Sequence, residues 1–217
     1  MMNRDTLKQM AVISLFWGAL WGIAEATIGY LAHLVIFIPG IAGFIMFPIG
    51  FYFMTRAYKD TGKPGILFST AAVAASIKLV DLFLPNLSPI HTINPAIAIL
   101  MESAAVYVVF KLLNAKPLQF RFGEVLIAGT GWRLGFLFYS AILSATAVSQ
   151  EFIQMGLAHI LRFVLLESVI NALIIIAYLK AEKVFKHEKI RRFHIRPVTA
   201  AAALAAAVLV KLALSTI

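Results

Sequence analysis

Residues 16–31 read "FWGALWGIAEATIGYL". The run is apolar enough to lie in lipid, yet Glu25 stands in its middle, and Gly18, Gly22 and Gly29 occupy positions where an isolated helix favours Ala or Leu. A carboxylate facing lipid at a helix centre costs about 2.5–3.5 kcal/mol on insertion scales. Such a helix must turn Glu25 toward other protein and its small residues toward a close neighbour. Both requirements point to one span of a helix bundle rather than to a lone anchor.

The rest of the chain agrees. Of 217 residues, 61% are hydrophobic and only 13% charged, about half the charge of an ordinary soluble domain. The mean hydropathy is +0.90. Seven apolar runs approach the ~20 residues that cross a hydrocarbon core: roughly 11–36, 41–57, 65–84, 93–113, 124–148, 155–179 and 198–216. The first follows "MMNRDTLKQM", is long for a signal-peptide core and lacks a small-residue cleavage site, so it reads as a retained span. The expected fold is therefore an all-α integral membrane protein, a polytopic bundle. Its divisions are a six-span core (1–179), a basic cytoplasmic connection (180–197) and a seventh C-terminal transmembrane helix (198–217). That last helix is Ala-rich and has no aromatic residue, which sets it apart as an appended element. Lys211, near its outer end, is expected to snorkel to the interface.

The net charge of +9 belongs to topology. Fifteen of the 19 Lys and Arg residues lie in the N-terminal tail and at the second, fourth and sixth connections, with none in the first, third and fifth. By the positive-inside rule the N-terminus is cytoplasmic and, after seven spans, the C-terminus lies outside. The basic residues then meet lipid headgroups, and no soluble domain exists to present them to nucleic acid. In the sixth connection, Phe185 and Phe193 suit a short surface helix. The outer connections "VIFIPGIAG" (35–43), "LPNLSPIHTINP" (84–95) and "SQEFIQM" (149–155) are uncharged or nearly so and read equally as lids or as tight loops. Asn94-Pro95 reads as the start of the fourth helix.

Seven ionisable residues fall within the first six spans: Glu25, Lys78, Asp81, Glu102, Arg133, Arg162 and Glu167. Together they face inward, pairing with one another or lining a polar cavity. At about 1.5 Å per residue, Glu25, Glu102 and Arg133 lie near mid-depth, Lys78, Asp81 and Arg162 in the outer half, and Glu167 somewhat deeper than Arg162. Lys78 and Asp81, three apart, share a face. Arg162 and Glu167, five apart, diverge by about 140° on an α-helix of 3.6 residues per turn and are expected to meet different neighbours, whereas Glu167 and Asn171 share a face. Arg133 follows Trp132 and precedes Phe136 and Tyr139, and a guanidinium among rings can hold an anionic or heteroaromatic ligand. The candidate substrate site is therefore Glu25, Lys78, Asp81, Asn94, Glu102, Trp132, Arg133, Arg162, Glu167 and Asn171. The competing reading is a set of buried ion pairs that specify helix packing. His33, His91 and His159 all project to the outer side and form a weak alternative, a metal site without ligand spacing. Otherwise no metal or other cofactor is expected. The chain has no cysteine, which excludes disulfides and thiolate chemistry. It has no HExxH and no phosphate-binding GxxxxGK[ST], so an enzyme is not expected and ATP-driven work needs partners.

Ser14, Gly18, Gly22 and Ala26 recur every four residues, a small-xxx-small stripe that lets helix backbones approach closely in lipid. Gly131 and Gly135 repeat the spacing on the fifth span. The neighbour of the first stripe is either a helix of the same bundle or another subunit, with Glu25 at the stripe's edge facing Arg133 or Arg162. Size, topology and the stripe "SLFWGALWGIAEA" resemble, over residues 10–180, the substrate-binding S component of energy-coupling factor transporters. The resemblance implies capture of a vitamin-like micronutrient at a bacterial plasma membrane, under outer loops. It also implies docking on a transmembrane T component through Ser14, Gly18, Gly22 and Ala26, and energy from partner ATPase subunits. Gly in place of the family's Ala, and a seventh helix, depart from that pattern. A stand-alone proton- or ion-coupled transporter with Glu25, Glu102 and Glu167 as the relay, and an assembly subunit of a membrane complex, are the alternatives.

Overall fold

The computed structural model describes residues 4–29, 31–32, 40–83, 89–114, 119–146, 156–184 and 195–214. Nearly all of these residues are helical, and none is in a strand. Seven helices are long and apolar enough to cross a membrane: α1 (Arg4–Gly29), α2 (Ile41–Thr61), α3 (Gly65–Phe83), α4 (Pro89–Leu113), α5 (Phe122–Ala145), α6 (Leu157–Glu182) and α7 (Pro197–Leu214). The chain is thus a multi-pass membrane protein. The parts of the outer connections proposed as lids, the segment with Phe185 and Phe193, and His33 lie outside the described residues.

The α2–α3 turn shows how the sequence sets the helix ends. Gly62 caps α2 at φ 65°, a left-handed conformation that an L side chain resists, and its N–H bonds the Tyr58 carbonyl at 2.7 Å. Pro64 and Gly65 then open α3. At the same end, Arg56 and Lys59 of α2 hold Glu182 of α6 at 3.2 and 2.9 Å. The Trp17 indole N–H donates to Asp60 at 2.8 Å, joining α1 to α2. On α5, the Arg121 N–H donates to Glu124 at 2.8 Å, which satisfies one of the donors that a helix start leaves free.

The core lies among α1–α6 and is aromatic. Trp21 covers Gly50, where a Cβ would come within 2.3 Å of the indole; Trp132 likewise covers Gly43 at 2.9 Å. The two glycines are seven apart on α2, two full turns, so α2 lies flat against two tryptophans from different helices. Phe47, Phe51, Phe120, Phe163 and Tyr178 fill the space between.

One expectation about a helix boundary changes. Asn94-Pro95 does not start α4, which begins at Pro89 and carries Pro95 inside it. Pro89 takes the first-turn position, where its missing N–H is not needed. Pro48 also lies inside α2. In addition, two helices contain π turns, Glu25–Gly29 in α1 and Arg162–Leu166 in α6. Such turns, bonded i to i+5, are rare and occur mostly as single-turn bulges within α-helices.

The seventh helix lies along α1 and touches α3. Ala19, Ile77 and Ala207 form a small buried cluster at that three-helix junction. Lys211 does not snorkel: it is buried, and its ammonium sits 2.7 Å from the Asp81 carboxylate of α3. A partner across the bundle satisfies it more completely than the interface would.

Candidate functional site

The intramembrane charges separate into two groups. The first sits where α1, α3 and α7 meet. Asp81 receives Lys78 at 3.3 Å, the expected i,i+3 pair, and Lys211 at 2.7 Å, both on Oδ2. Asp81 Oδ1 is buried with no hydrogen-bond partner among the described residues. Glu25, at the start of the α1 π turn, is buried close by. The turn that carries it packs against α2, α3 and α7, so Glu25 lies on the side of Lys78 and Lys211, where Arg133 or Arg162 was the expected neighbour. Its carboxylate lies over Gly29, where a Cβ would come within 3.0 Å of Oε2. Gly29 therefore makes room for the acid one turn before it.

The small-residue stripe has a partner of its own. Ser14 Oγ is 2.7 Å from Ser69 Oγ on α3. A Cβ on Gly18 would meet Val73 Cβ at 2.6 Å and the Thr70 carbonyl at 2.7 Å; one on Gly22 would meet Ile77 at 2.7 Å. Ala26 is buried as well. Of the two neighbours open to this stripe, α3 of the same chain is the one it has. Docking another subunit on Ser14, Gly18, Gly22 and Ala26 would require α3 to leave.

The second group is built around Arg133, at the midpoint of α5 and 0% exposed. Its guanidinium carbon lies 4.5 Å from the Trp132 ring centroid, 5.4 Å from Phe163 and 5.9 Å from Phe47. Nη1 donates to the Gly129 carbonyl at 3.1 Å and to Ser168 Oγ at 3.4 Å. Asn171, with its amide oriented to satisfy both neighbours, accepts from Nη2 at 2.8 Å and donates to the Phe44 carbonyl at 3.0 Å. That carbonyl is available because Pro48, four residues on, has no N–H to give it. A proline in α2 thereby fixes an asparagine of α6, and the asparagine fixes an arginine of α5.

Glu167 lies between two arginines, its Oε1 3.4 Å from Arg162 Nε and its Oε2 3.8 Å from Arg133 Nη2. The contact with Arg162 corrects the α-helical expectation of divergence. Because residues 162–166 form a π turn, the Glu167 N–H bonds the Arg162 carbonyl, and positions five apart come to one face. Glu102 of α4 is buried, on a helix that packs against α5, which carries Arg133. Its Oε2 is buried with no hydrogen-bond partner among the described residues.

The structure thus gathers Glu102, Trp132, Arg133, Arg162, Glu167 and Asn171 into one constellation and Glu25, Lys78 and Asp81 into another. Asn94 belongs to neither; its Oδ1 accepts from Tyr139 at 3.0 Å and ties α4 to α5. His91 is exposed and His159 is buried on α6. Among the described residues no three side chains are grouped to hold a metal ion. Sequence reasoning missed Lys211, Ser168, Phe47, Phe163 and the Phe44 carbonyl. The only prior signal was for Phe44, in the proline four residues after it. Compared with protein-family models, with curated proteins and with solved structures, the chain matches none.

Proposed function

We propose that this protein is a membrane transport subunit that captures a small polar molecule from outside the cell, in the manner of an energy-coupling factor S component. One observation carries the reading: a wholly buried arginine, Arg133, held by neutral oxygens and aromatic rings, with Glu167 and Arg162 arrayed beyond it. Ionisable groups inside a membrane bundle are costly and mark ligand or ion paths more often than scaffolding. Here they are preorganised on rigid helices. On this reading the membrane is the plasma membrane, the basic end of the bundle is cytoplasmic, and T and ATPase subunits supply the energy. Because α3 covers the α1 stripe, the T component would meet a different face of the bundle.

A stand-alone proton- or ion-coupled transporter is the second reading. The observation favouring it is Glu102, a buried carboxylate with an oxygen unpartnered among the described residues, on a helix packed against that of Arg133. Affinity purification from native membranes separates the two. The subunit reading expects a second membrane protein and two ATPases in the eluate, with co-purified small molecules identifiable by mass spectrometry. Uptake by the chain alone in proteoliposomes, abolished by a protonophore, would replace it with the second reading.

A further inference from the structure

We infer that Arg133 and Arg162 form a binding site for the carboxylate of a small organic anion, and that Glu167 is the chain's own stand-in for that ligand. The inference rests on the capture reading above and names its substrate class.

Four observations carry it. First, the Glu167 contacts are long. Charge-assisted N–H···O bonds close to about 2.7–2.9 Å, whereas this carboxylate stands 3.4 Å from one guanidinium and 3.8 Å from the other. Second, hydrogen-bonding capacity is left over at this point: Glu167 Oε2 and Arg133 Nε are both buried without a hydrogen-bond partner among the described residues. An unused N–H on a guanidinium that is 0% exposed is a donor awaiting an acceptor.

Third, Arg133 does not depend on Glu167 for its position. The Gly129 carbonyl and Asn171 hold its other nitrogens at 3.1 and 2.8 Å, and the Phe47, Trp132 and Phe163 rings surround it. The fork therefore stays in place when the acid is exchanged. Fourth, exposure falls in order along the three side chains, from 29% at Arg162 to 6% at Glu167 and 0% at Arg133. Arg162 is thus the outermost of the three side chains and Arg133 the innermost. The π turn is what stacks Arg162 over Glu167 and makes this a line of charges rather than two separate residues.

The test uses the full chain purified in detergent, with benzoate as the anionic probe and benzamide as its neutral counterpart, at constant ionic strength. Binding is read from tryptophan fluorescence, with Trp132→Phe identifying the responding ring, and from the thermal midpoint. Benzoate is expected to change both in the natural protein, and benzamide neither. Glu167→Gln removes the internal competitor and should tighten benzoate binding about tenfold or more, equivalent to about 1.4 kcal/mol. Arg162→Gln, at a partly exposed position that tolerates change, should weaken it by a similar factor. Equal responses to benzoate and benzamide, or a Glu167→Gln protein that elutes as a folded monodisperse species and binds benzoate no more tightly, would overturn the inference. The first of these results leaves the capture reading standing with a neutral substrate. Conversely, benzoate binding by a chain that recruits no ATPase would sustain the anion site and remove the subunit reading.

Discussion

The two glycine pairs at GxxxG-type spacing should respond in opposite ways to the addition of one methyl group. On α1, a Cβ at Gly18 would come to 2.6 Å from Val73 Cβ and 2.7 Å from the Thr70 carbonyl oxygen. Neither atom can turn aside, because one is at the root of a branched side chain and the other is backbone. Restoring a contact distance of 3.5–4.0 Å requires α1 and α3 to part by about 1 Å, enough to lose a quarter to a half of the dispersion energy of the atoms along that seam. Overpacking of this kind costs about 1–3 kcal/mol, and the rigid obstacles place Gly18→Ala at the top of that range. At Gly22 the first obstacle is Ile77 Cδ1 at 2.7 Å, the movable tip of a side chain, but Ile77 Cβ and Cγ2 follow at 3.1 Å, so Gly22→Ala should cost about 1–2 kcal/mol, less than Gly18→Ala. On α5 the methyl group would find only Ala105 Cβ at 3.8 Å from Gly131 and Met101 Sδ at 3.7 Å from Gly135, both ordinary contacts. There alanine's helix preference should make the change neutral or stabilising by up to about 1 kcal/mol. Reversible unfolding in mixed micelles, followed by circular dichroism, measures all four. If Gly18→Ala falls within about 0.5 kcal/mol of Gly131→Ala, the scatter of substitutions that disturb nothing, the close approach of α1 and α3 is wrong.

Two other substitutions probe the long-range polar contacts. Lys211→Met should destabilise the protein by about 1–3 kcal/mol, below the cost of stranding a buried charge because Lys78 stays on Asp81, and a double-mutant cycle with Asp81→Asn should show coupling above about 0.5 kcal/mol; additive effects would return Lys211 to the interface. Pro48→Ala gives the Phe44 carbonyl a helical N–H partner in competition with Asn171, so Asn171→Ala should cost clearly less in the Pro48→Ala background than alone, as read by the same unfolding measurement.

The spans and the contacts local to one helix were open to sequence reasoning because both depend on periodicity alone. Apolar runs of about 20 residues mark crossings whatever their partners, and Lys78 and Asp81 meet because an α-helix brings i and i+3 together. The stripe on α1 was equally visible, but its neighbour was not: a row of small residues states that something comes close, not what. Arg162 and Glu167 were misjudged because the α-helical angle was applied to a stretch that widens into a π turn, and "RFVLLE" carries no proline or glycine to announce it. Lys211 was misjudged because an isolated helix offers it only the interface. Its true partner is on another helix, and pairing across the bundle leaves no trace in local spacing.

The pair of lysines on Asp81 has a consequence for how the chain enters the membrane. Lys211 follows Asp81 by 130 residues. At 5–20 residues per second, α3 must wait roughly 7–26 s after its own synthesis before α7 is made. Over that interval Lys78, one turn away on the same helix, is the counterion that travels with Asp81, so α3 can partition into lipid as a nearly neutral segment. The nearby lysine serves insertion and the distant one serves assembly. Mutating Lys78 should therefore lower the yield of inserted protein, whereas mutating Lys211 should leave insertion of α3 intact and loosen the finished bundle.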